Sequence, residues 1–225
     1  MSAHDEQFRR TWFEKIWADR EERVYPEIFG TFSKTIFPLR AELFHQLGST
    51  DIDPSWLTHA VLESPPQPQR PNWAYVTTAL SNPWGVDPRD LQPGQLSGLG
   101  CELVMQAPHQ AAWCVRVLQW LAAVNILTAR GMLEGQLIEP LDRIALGGPL
   151  DGLPSCRIKN VLICKPEHIP QTFDLESGRV DLLLCVGITD AEMGFAQAQS
   201  SDGLLKLLRH NDYLPVTDPG RLSAV

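Results

Sequence analysis

The order of the apolar segments constrains the fold more than any other feature of this sequence. One long helical pattern, Trp113 to Ala129, separates two groups of short strand-like segments, and shorter helical patterns lie towards both ends of the chain. The strand-like segments do not alternate regularly with helices, which argues against a doubly wound parallel sheet. The order therefore predicts a single α+β domain, a mixed and mostly antiparallel sheet packed with helices. We expect this domain to cover residues 31–215, after an amphipathic helical extension (1–30) and before a C-terminal tail (216–225).

Local signals predict where the main helices begin and end. The pattern that begins at His4 is expected to stop near Pro26, because a residue that precedes proline disfavours the helical conformation. Gly131 is expected to end the long central helix. Thr189 and Glu192 have the spacing of a capping box, in which each side chain bonds the backbone N–H of the other residue. The central helix is predicted to bury one wide apolar face, made of Trp113, Val117, Trp120, Leu121, Val124 and Leu127.

Strand patterns are clearest on both sides of the central helix. Residues 73–80 alternate in side-chain direction, which is typical of a strand with at least one buried face. The apolar, β-branched runs 158–164 and 180–188 are predicted as central strands. A further short strand is expected around Leu137, and residues 166–178 are expected to form a loop.

Composition excludes several classes of protein. The chain carries 27 acidic and 19 basic side chains, a net charge of -8, and we find no clustered basic face for a nucleic-acid backbone. The longest uninterrupted apolar run, Trp120 to Val124, is far shorter than the roughly 20 residues that cross a bilayer, so no membrane partner is expected. The first residues lack the apolar core of a signal peptide, and we therefore expect a cytoplasmic protein.

The cysteines and histidines favour neither a metal site nor a disulfide framework. The five cysteines are an odd number, and no two of them form a C-x-x-C pair. The six histidines never lie three or four residues apart, the spacing that places two ligands on one helical turn. We therefore expect reduced, buried thiols, with no metal and no cofactor.

No catalytic residue is predicted. The glycines of Ser97–Gly100 lack the spacing of a phosphate-binding loop and are expected to allow positive φ and close packing of strands. A hydrolase that pairs Cys114 or Cys101 with a histidine is the enzyme alternative, since Cys114 lies just inside a helix start. The apolar neighbours of Cys114 favour a small buried side chain instead.

Two features are compatible with a surface for a partner. Residues 166–202 contain seven acidic side chains and only Arg179 as a basic one, which is -6 of the chain's net charge of -8. Such a segment is more often a solvated face than a docking surface for a basic protein. Asp181 and Glu192 are candidate contacts there, although Glu192 also fits the capping box. Trp84 lies in a turn, where it either plugs the sheet edge or anchors a partner.

Three strings of the sequence resemble the suppressor of fused domain family in their order and spacing. They are NWAYVTTALS at 72–81, SGLGCEL at 97–103 and GRVDLLLCVGITDAE at 178–192. The central helix and the leucine-rich turn at 204–209 resemble the family as well. The start of the chain looks like that of bacterial single-domain members.

The resemblance implies both a fold and a function. It implies an α+β domain, without known catalytic residues or cofactor, that works by binding another protein. Animal members hold a transcription-factor peptide as an added strand. Tyr75 matches a family position near that peptide, whereas Gly94 stands where animal members have an acidic residue. Bacterial members are implied to be immunity proteins that neutralise a cognate toxin domain.

We therefore predict a non-enzymatic, protein-binding module of the immunity type. Its expected partner is a protein such as a basic toxin domain, or a peptide added as a strand, and the candidate contacts are Tyr75, Trp84, Asp181 and Glu192. A hydrolase is one alternative. The other is a self-associating protein, such as a homodimer that pairs an exposed strand edge with its own copy.

Overall fold

An eight-stranded mixed sheet organises the fold. The structure, a computed structural model, describes residues 3–225. The strands are β1 (Ile36–Pro38), β2 (Ala60–Ser64), β3 (Trp73–Thr78), β4 (Leu96–Ala107), β5 (Arg143–Ala145), β6 (Ile158–Cys164), β7 (Thr172–Leu175) and β8 (Gly178–Thr189). Their order in the sheet is β1-β2-β3-β4-β8-β6-β5, and β7 pairs with the beginning of β8.

The two longest strands, β4 and β8, form the centre of the sheet. They pair in parallel, with Leu103 opposite Leu183, whereas every other strand pair is antiparallel. A parallel pair needs a long crossover connection, and here the crossover contains the central helix and strands β5 to β7. The predicted mixed, mostly antiparallel sheet is confirmed.

Helices cover both faces of the sheet. They are α1 (Ala3–Ala18), α2 (Tyr25–Phe29), α3 (Ala41–Gln46), α4 (Ala112–Ala129), α5 (Asp190–Ala198) and α6 (Ser201–His210), with a π-helix at Asp19–Val24 and short 3-10 helices at Pro54–Thr58 and Pro88–Asp90. The apolar core on one face contains α4, and the core on the other face contains residues of α1, α2, α5 and α6. Strand β3 contributes to both cores, since Tyr75 points into the first and Val76 into the second.

The N-terminal helical arm does not end at Pro26 as predicted. The π-helix follows α1 directly and continues without a break into α2, which contains Pro26. The arm ends at Gly30, which has a φ of 76°. Both outer segments contribute buried residues, Ile16 at one end of the chain and Thr217 at the other.

Two of the predicted local elements differ from the structure. No strand forms around Leu137, because the N–H of the next residue, Ile138, donates to the Asn125 side chain at 3.0 Å, and β5 begins only at Arg143. The segment 166–178 is not entirely a loop, since β7 pairs with β8 within it. The capping box at the start of α5 is confirmed, with Thr189 and Glu192 bonded to each other's backbone N–H.

The central helix α4 is buried over more than the one face that was predicted. Cys114, Leu118 and Leu121 are fully buried, whereas the predicted core residues Trp113 and Trp120 are only half-buried. By length and composition α4 is apolar enough to cross a membrane, but 56% of it is buried in the fold. Such burial is also typical of the core helix of a soluble domain.

The glycine turn at the start of β4 is confirmed. Gly98 and Gly100 have φ values of 57° and 78°. A Cβ on Gly98 would lie 2.5 Å from the carbonyl oxygens of Leu80 and Asn82, so only glycine allows β4 to approach the preceding turn this closely.

We predict that Gly98→Ala destabilises the fold more than Gly94→Ala. Gly94 also has a positive φ, of 75°, but a Cβ there meets nothing within 4 Å. Both variants lose about 1–2 kcal/mol of stability because alanine is strained at a positive φ. Gly98→Ala loses a further 1–3 kcal/mol, roughly, because its Cβ overpacks against the turn. Urea unfolding of the two variants measures the difference, and equal losses would show that the approach of β4 to the turn can relax.

Candidate functional site

A groove opens at the end of the sheet where β4 begins. Its volume is about 260 Å³. Its walls present both polar and apolar surface and come from the 3-10 helix at 54–58, the turn between β3 and β4, the first residues of β4 and the end of α4. The lining residues are Trp56, His59, Leu80, Asn82, Trp84, Val86, Leu96, Gly98, Leu99, Ile126, Ala129 and Arg130.

Trp84 lies at the rim of this groove with 39% of its surface exposed. Its ring packs against Phe13 of α1, with 4.4 Å between the ring centroids. Its backbone N–H donates to the carbonyl of Asn82 at 2.8 Å, within a turn in which Ala79 has a φ of 87°. Trp84 is therefore an exposed aromatic side chain on a turn whose conformation is fixed.

Buried polar side chains form hydrogen bonds with this turn on its interior side. One Glu102 carboxylate oxygen accepts from the backbone N–H of Ser81 at 2.9 Å and from its hydroxyl at 2.6 Å, and the other accepts from the Thr77 hydroxyl at 2.6 Å. Arg20, from the π-helix, donates to the Ser81 hydroxyl at 3.1 Å and to the side chain of Asn82. We call these five residues the turn cluster.

The charges of the turn cluster depend on one another. Arg20 and Glu102 are both fully buried. Burial raises the pKa of Glu102, whereas the positive charge of Arg20 and the hydrogen bonds from Ser81 and Thr77 lower it. Sequence reasoning missed this pair. Its one local signal is that Arg20 continues the four-residue spacing of Trp12 and Ile16, which are buried on the same side of the helical arm.

Two of the residues that line the groove, Trp56 and His59, are buried and carry polar nitrogen atoms. The indole Nε1 of Trp56 is buried and has no partner among the described residues. The Nδ1 of His59 contacts the carbonyl oxygens of Ser55 and Trp56 at 3.2 and 3.1 Å, so its proton lies there. Burial lowers the pKa of His59 from 6.5 to about 4, so the ring is neutral at pH 7 and its Nε2 is an acceptor.

Two of the four predicted contact residues are buried. The Tyr75 hydroxyl accepts from the backbone N–H of Ala111 at 2.6 Å, and burial raises its pKa. Glu192 caps α5 and binds both Nη atoms of Arg221, at 2.6 and 2.7 Å, which lower the pKa of the carboxyl against the effect of burial. Neither side chain has exposed surface for a partner in this structure. Both hold the fold together.

The other two predicted contact residues lie on the surface but not together. Only Trp84 lines the groove. The Asp181 side chain is 38% exposed and forms an ion pair with Arg179 at 3.1 Å, near the beginning of β8. The structure therefore places no two of the four predicted contact residues in the same site.

The acidic segment 166–202 is largely neutralised by basic residues from elsewhere in the chain. Five of its seven carboxylates form ion pairs: Glu167 with Arg209, Glu176 with Lys15, Asp181 with Arg179, Asp190 with Lys159 and Glu192 with Arg221. Four of these five cations lie outside the segment, which is why a local charge count could not find them. The segment is not an unbalanced acidic patch.

The cysteines offer no activated thiol. All five are free and buried. Burial raises the pKa of Cys101 to about 12 and that of Cys114 well above its usual value, so both thiols stay protonated at neutral pH. Among the residues that the structure describes, no group of three or more histidine, cysteine or acidic side chains could hold a metal ion.

The two edge strands of the sheet, β1 and β5, differ in how accessible their backbone hydrogen-bonding groups are to an added strand. At the β1 edge Pro38 has no N–H, and the side chain of Gln119 donates to the carbonyls of Phe37 and Pro38 at 3.2 and 2.8 Å. Strand β5, at the other edge, has three residues, and its Arg143 donates to the hydroxyl of Ser201 at 2.6 Å. An added strand would therefore meet a short ladder at β5 and a protected edge at β1.

Comparisons with known proteins place the chain beside one family. The sequence model described as suppressor of fused protein matches residues 53–222. No curated protein matches the sequence.

Three solved structures share the fold. The Sufu–Fu complex has a TM-score of 0.59 at 20% identity, over 84% of this chain and 93% of that chain. Drosophila Suppressor of Fused has a TM-score of 0.58 at 21% identity over 74% of this chain, which spans 42% of that protein. A homologue from Neisseria gonorrhoeae FA 1090 has a TM-score of 0.60 at 15% identity, over 96% and 98%. At these identities the likeness concerns the fold alone.

We predict that His59 makes the stability of the protein depend on pH. The pKa of His59 is lowered in the fold, so the unfolded chain takes up the proton first as the pH falls. The contribution is fully present above pH 6.5 and is lost between there and about pH 4, by up to about 3 kcal/mol. His59→Asn, whose amide can replace the Nδ1 hydrogen bond, should flatten this part of the profile.

Urea unfolding between pH 7.5 and pH 4 measures this effect as the difference between the two proteins. Ionised carboxylates also affect the profile, but they do so in both proteins. Parallel profiles for the wild type and His59→Asn would contradict the burial of a neutral imidazole.

We predict that Arg20→Met destabilises the protein by about 3–5 kcal/mol, because it leaves the buried Glu102 without its compensating charge. Arg10→Met is the control, since the Arg10–Glu14 ion pair is exposed and is expected to contribute less than about 1 kcal/mol. Adding Glu102→Gln to Arg20→Met should recover part of the lost stability. Unfolding free energies that are equal for the two arginine variants would show that the turn cluster does not stabilise the fold.

Proposed function

The chain belongs to the suppressor of fused family, and from this premise we propose that it is a non-enzymatic module that binds another protein through the groove beside Trp84. The observation that carries the proposal is the exposed ring of Trp84, which lies at that groove on a turn held by buried hydrogen bonds. An exposed aromatic side chain on an ordered turn is typical of the residues that dominate a protein interface.

The chemistry of the groove suits a polypeptide segment. The neutral His59 ring offers an acceptor at its Nε2 among aromatic and aliphatic side chains, and a peptide segment provides the complementary N–H together with apolar side chains. Trp84 and Arg130 also line the groove, and tryptophan and arginine are enriched among residues that dominate binding energy. The fixed turn below Trp84 lowers the entropy that binding costs.

One relative supports a protein partner. The solved Sufu–Fu complex holds a member of this fold together with another protein. For the present chain the surface contacts that we propose are Trp84, as the anchor, and Asp181, as a peripheral charge.

The finer part of the proposal is that the partner is a toxin domain and that binding neutralises it. Its support is the resemblance of the chain to bacterial single-domain members. It does not depend on a strongly basic partner, because five of the seven acidic side chains in segment 166–202 are already ion-paired within the chain.

We predict that Trp84→Ala weakens binding of the partner at least about tenfold, as for an anchor at the centre of an interface. The partner is first captured by a photo-crosslinking amino acid at position 96, where the exposed Leu96 also lines the groove, and is then purified and titrated by calorimetry. Phe8→Ala is the matched control, since Phe8 is a similarly exposed aromatic at 47% but lies outside the groove, and it should change the Kd by less than twofold. Equal weakening by both variants, or none by Trp84→Ala, would refute the groove as the binding site.

The toxin proposal has its own test in living cells. Expression of the captured partner alone should arrest growth, and co-expression of the wild-type chain should restore growth whereas Trp84→Ala should not. A partner that binds at Trp84 but leaves growth unchanged would overturn neutralisation while retaining protein binding.

A further inference from the structure

The outer face of α4 carries an apolar strip that the Trp84 groove does not use. Trp113, Arg116 and Trp120 lie three and four residues apart, so they share one face of the helix. The two tryptophans are half-buried and Arg116 is exposed. Arg116 is also the only charged residue of the 18 in α4.

This strip is unusual for a helix at the surface. A surface helix normally presents charged residues to solvent, and α1 follows that rule with six charged side chains in 16 residues. Trp113 and Trp120 pack against the core but stay only half-buried, so part of each ring faces solvent.

A groove lies along the strip, and backbone hydrogen bonds fix the loop that forms one of its walls. Its volume is about 170 Å³, and it is lined by Arg116, Val117, Trp120, Leu146, Gly148, Pro149 and Leu150. The loop that forms the far wall is tied to β6 at two points, because Leu146 donates to the carbonyl of Lys159 at 2.9 Å and Leu150 to that of Ile158 at 2.8 Å. The groove is therefore formed before anything binds.

The cation beside this groove lacks a counter-charge. Among the residues described by the structure, no carboxylate lies within 4 Å of the Arg116 guanidinium, which makes no side-chain hydrogen bond there. A guanidinium stays charged at every physiological pH and binds carboxylates through two parallel hydrogen bonds. A ligand that fills the groove gains most if it also carries a carboxylate.

We propose that the strip binds a segment of a partner protein in which an acidic side chain lies next to an apolar anchor. The anchor occupies the groove between Trp120 and Leu150, and the carboxylate binds Arg116. This site is separate from the groove at Trp84. Arg130, which lines that other groove, lies 14 residues further along α4, about 21 Å away.

Other occupants fit less well. A second copy of this chain related by a two-fold axis through the strip would place Arg116 beside Arg116 and bring no carboxylate from the strip itself. A lipid surface also fits less well, because a groove of about 170 Å³ suits one side chain better than a bilayer.

The test uses three short peptides, acetylated and amidated at their ends, with the sequence leucine, phenylalanine, X, leucine. X is glutamate, glutamine or lysine. Binding is followed by NMR through the indole N–H signals of Trp113 and Trp120, which are assigned with Trp→Phe variants. We expect saturable shifts at these two signals and a Kd for the glutamate peptide at least tenfold below that of the other two.

Variants connect that preference to one side chain. Arg116→Gln should reduce the tenfold preference to less than twofold, Arg116→Lys should leave an intermediate preference, and Arg130→Gln, in the other groove, should leave it unchanged. The proposal is overturned by equal affinity for all three peptides, by a preference that survives Arg116→Gln, or by no saturable shift at either indole. It is also overturned if vesicles of equal phosphatidylglycerol and phosphatidylcholine perturb both indoles while the peptides do not.

Discussion

The turn between β3 and β4 depends on two opposite charges buried beneath it. Glu102 comes from the central strand and Arg20 from the N-terminal arm, and both bind the Ser81 hydroxyl. The buried Glu102 carboxyl depends on the nearby positive charge of Arg20 and on its own hydrogen bonds, and Arg20 also forms an ion pair with Glu21 at 3.1 Å. The turn cluster thereby joins the arm, the sheet and the Trp84 turn into one unit, and the candidate groove owes its shape to that unit.

The two sides of the sheet have different consequences for function. On one side the apolar core contains residues of α1, α2, α5 and α6. The buried ion pair between Arg221 and Glu192 ties the last residues of the chain to this side. On the other side α4 packs against β2, β3 and β4, and both grooves border this helix, one near its beginning and one at its end. A single apolar helix thus provides walls for two separate surfaces of different chemistry.

Local patterns in the sequence predicted the structure correctly where the interacting residues are close together in the sequence. The capping box at Thr189 and the positive φ of Gly98 follow from residues only a few positions apart. Arg20 and Glu102 are 82 positions apart, so no window of sequence relates them. Tyr75 and Glu192 were predicted as contacts from a family position and a local charge count. Neither signal contains information about burial, and the structure places both side chains in the interior.

The central claim is that a partner protein enters the groove and contacts Trp84. NMR of the Trp84 indole N–H signal tests it most directly, in the free chain and with the captured partner, together with hydrogen exchange of the backbone. The account predicts a shift of the Trp84 indole signal and slower exchange at residues 79–86 in the complex. An unchanged Trp84 signal, with slower exchange confined to another face of the protein, would contradict it.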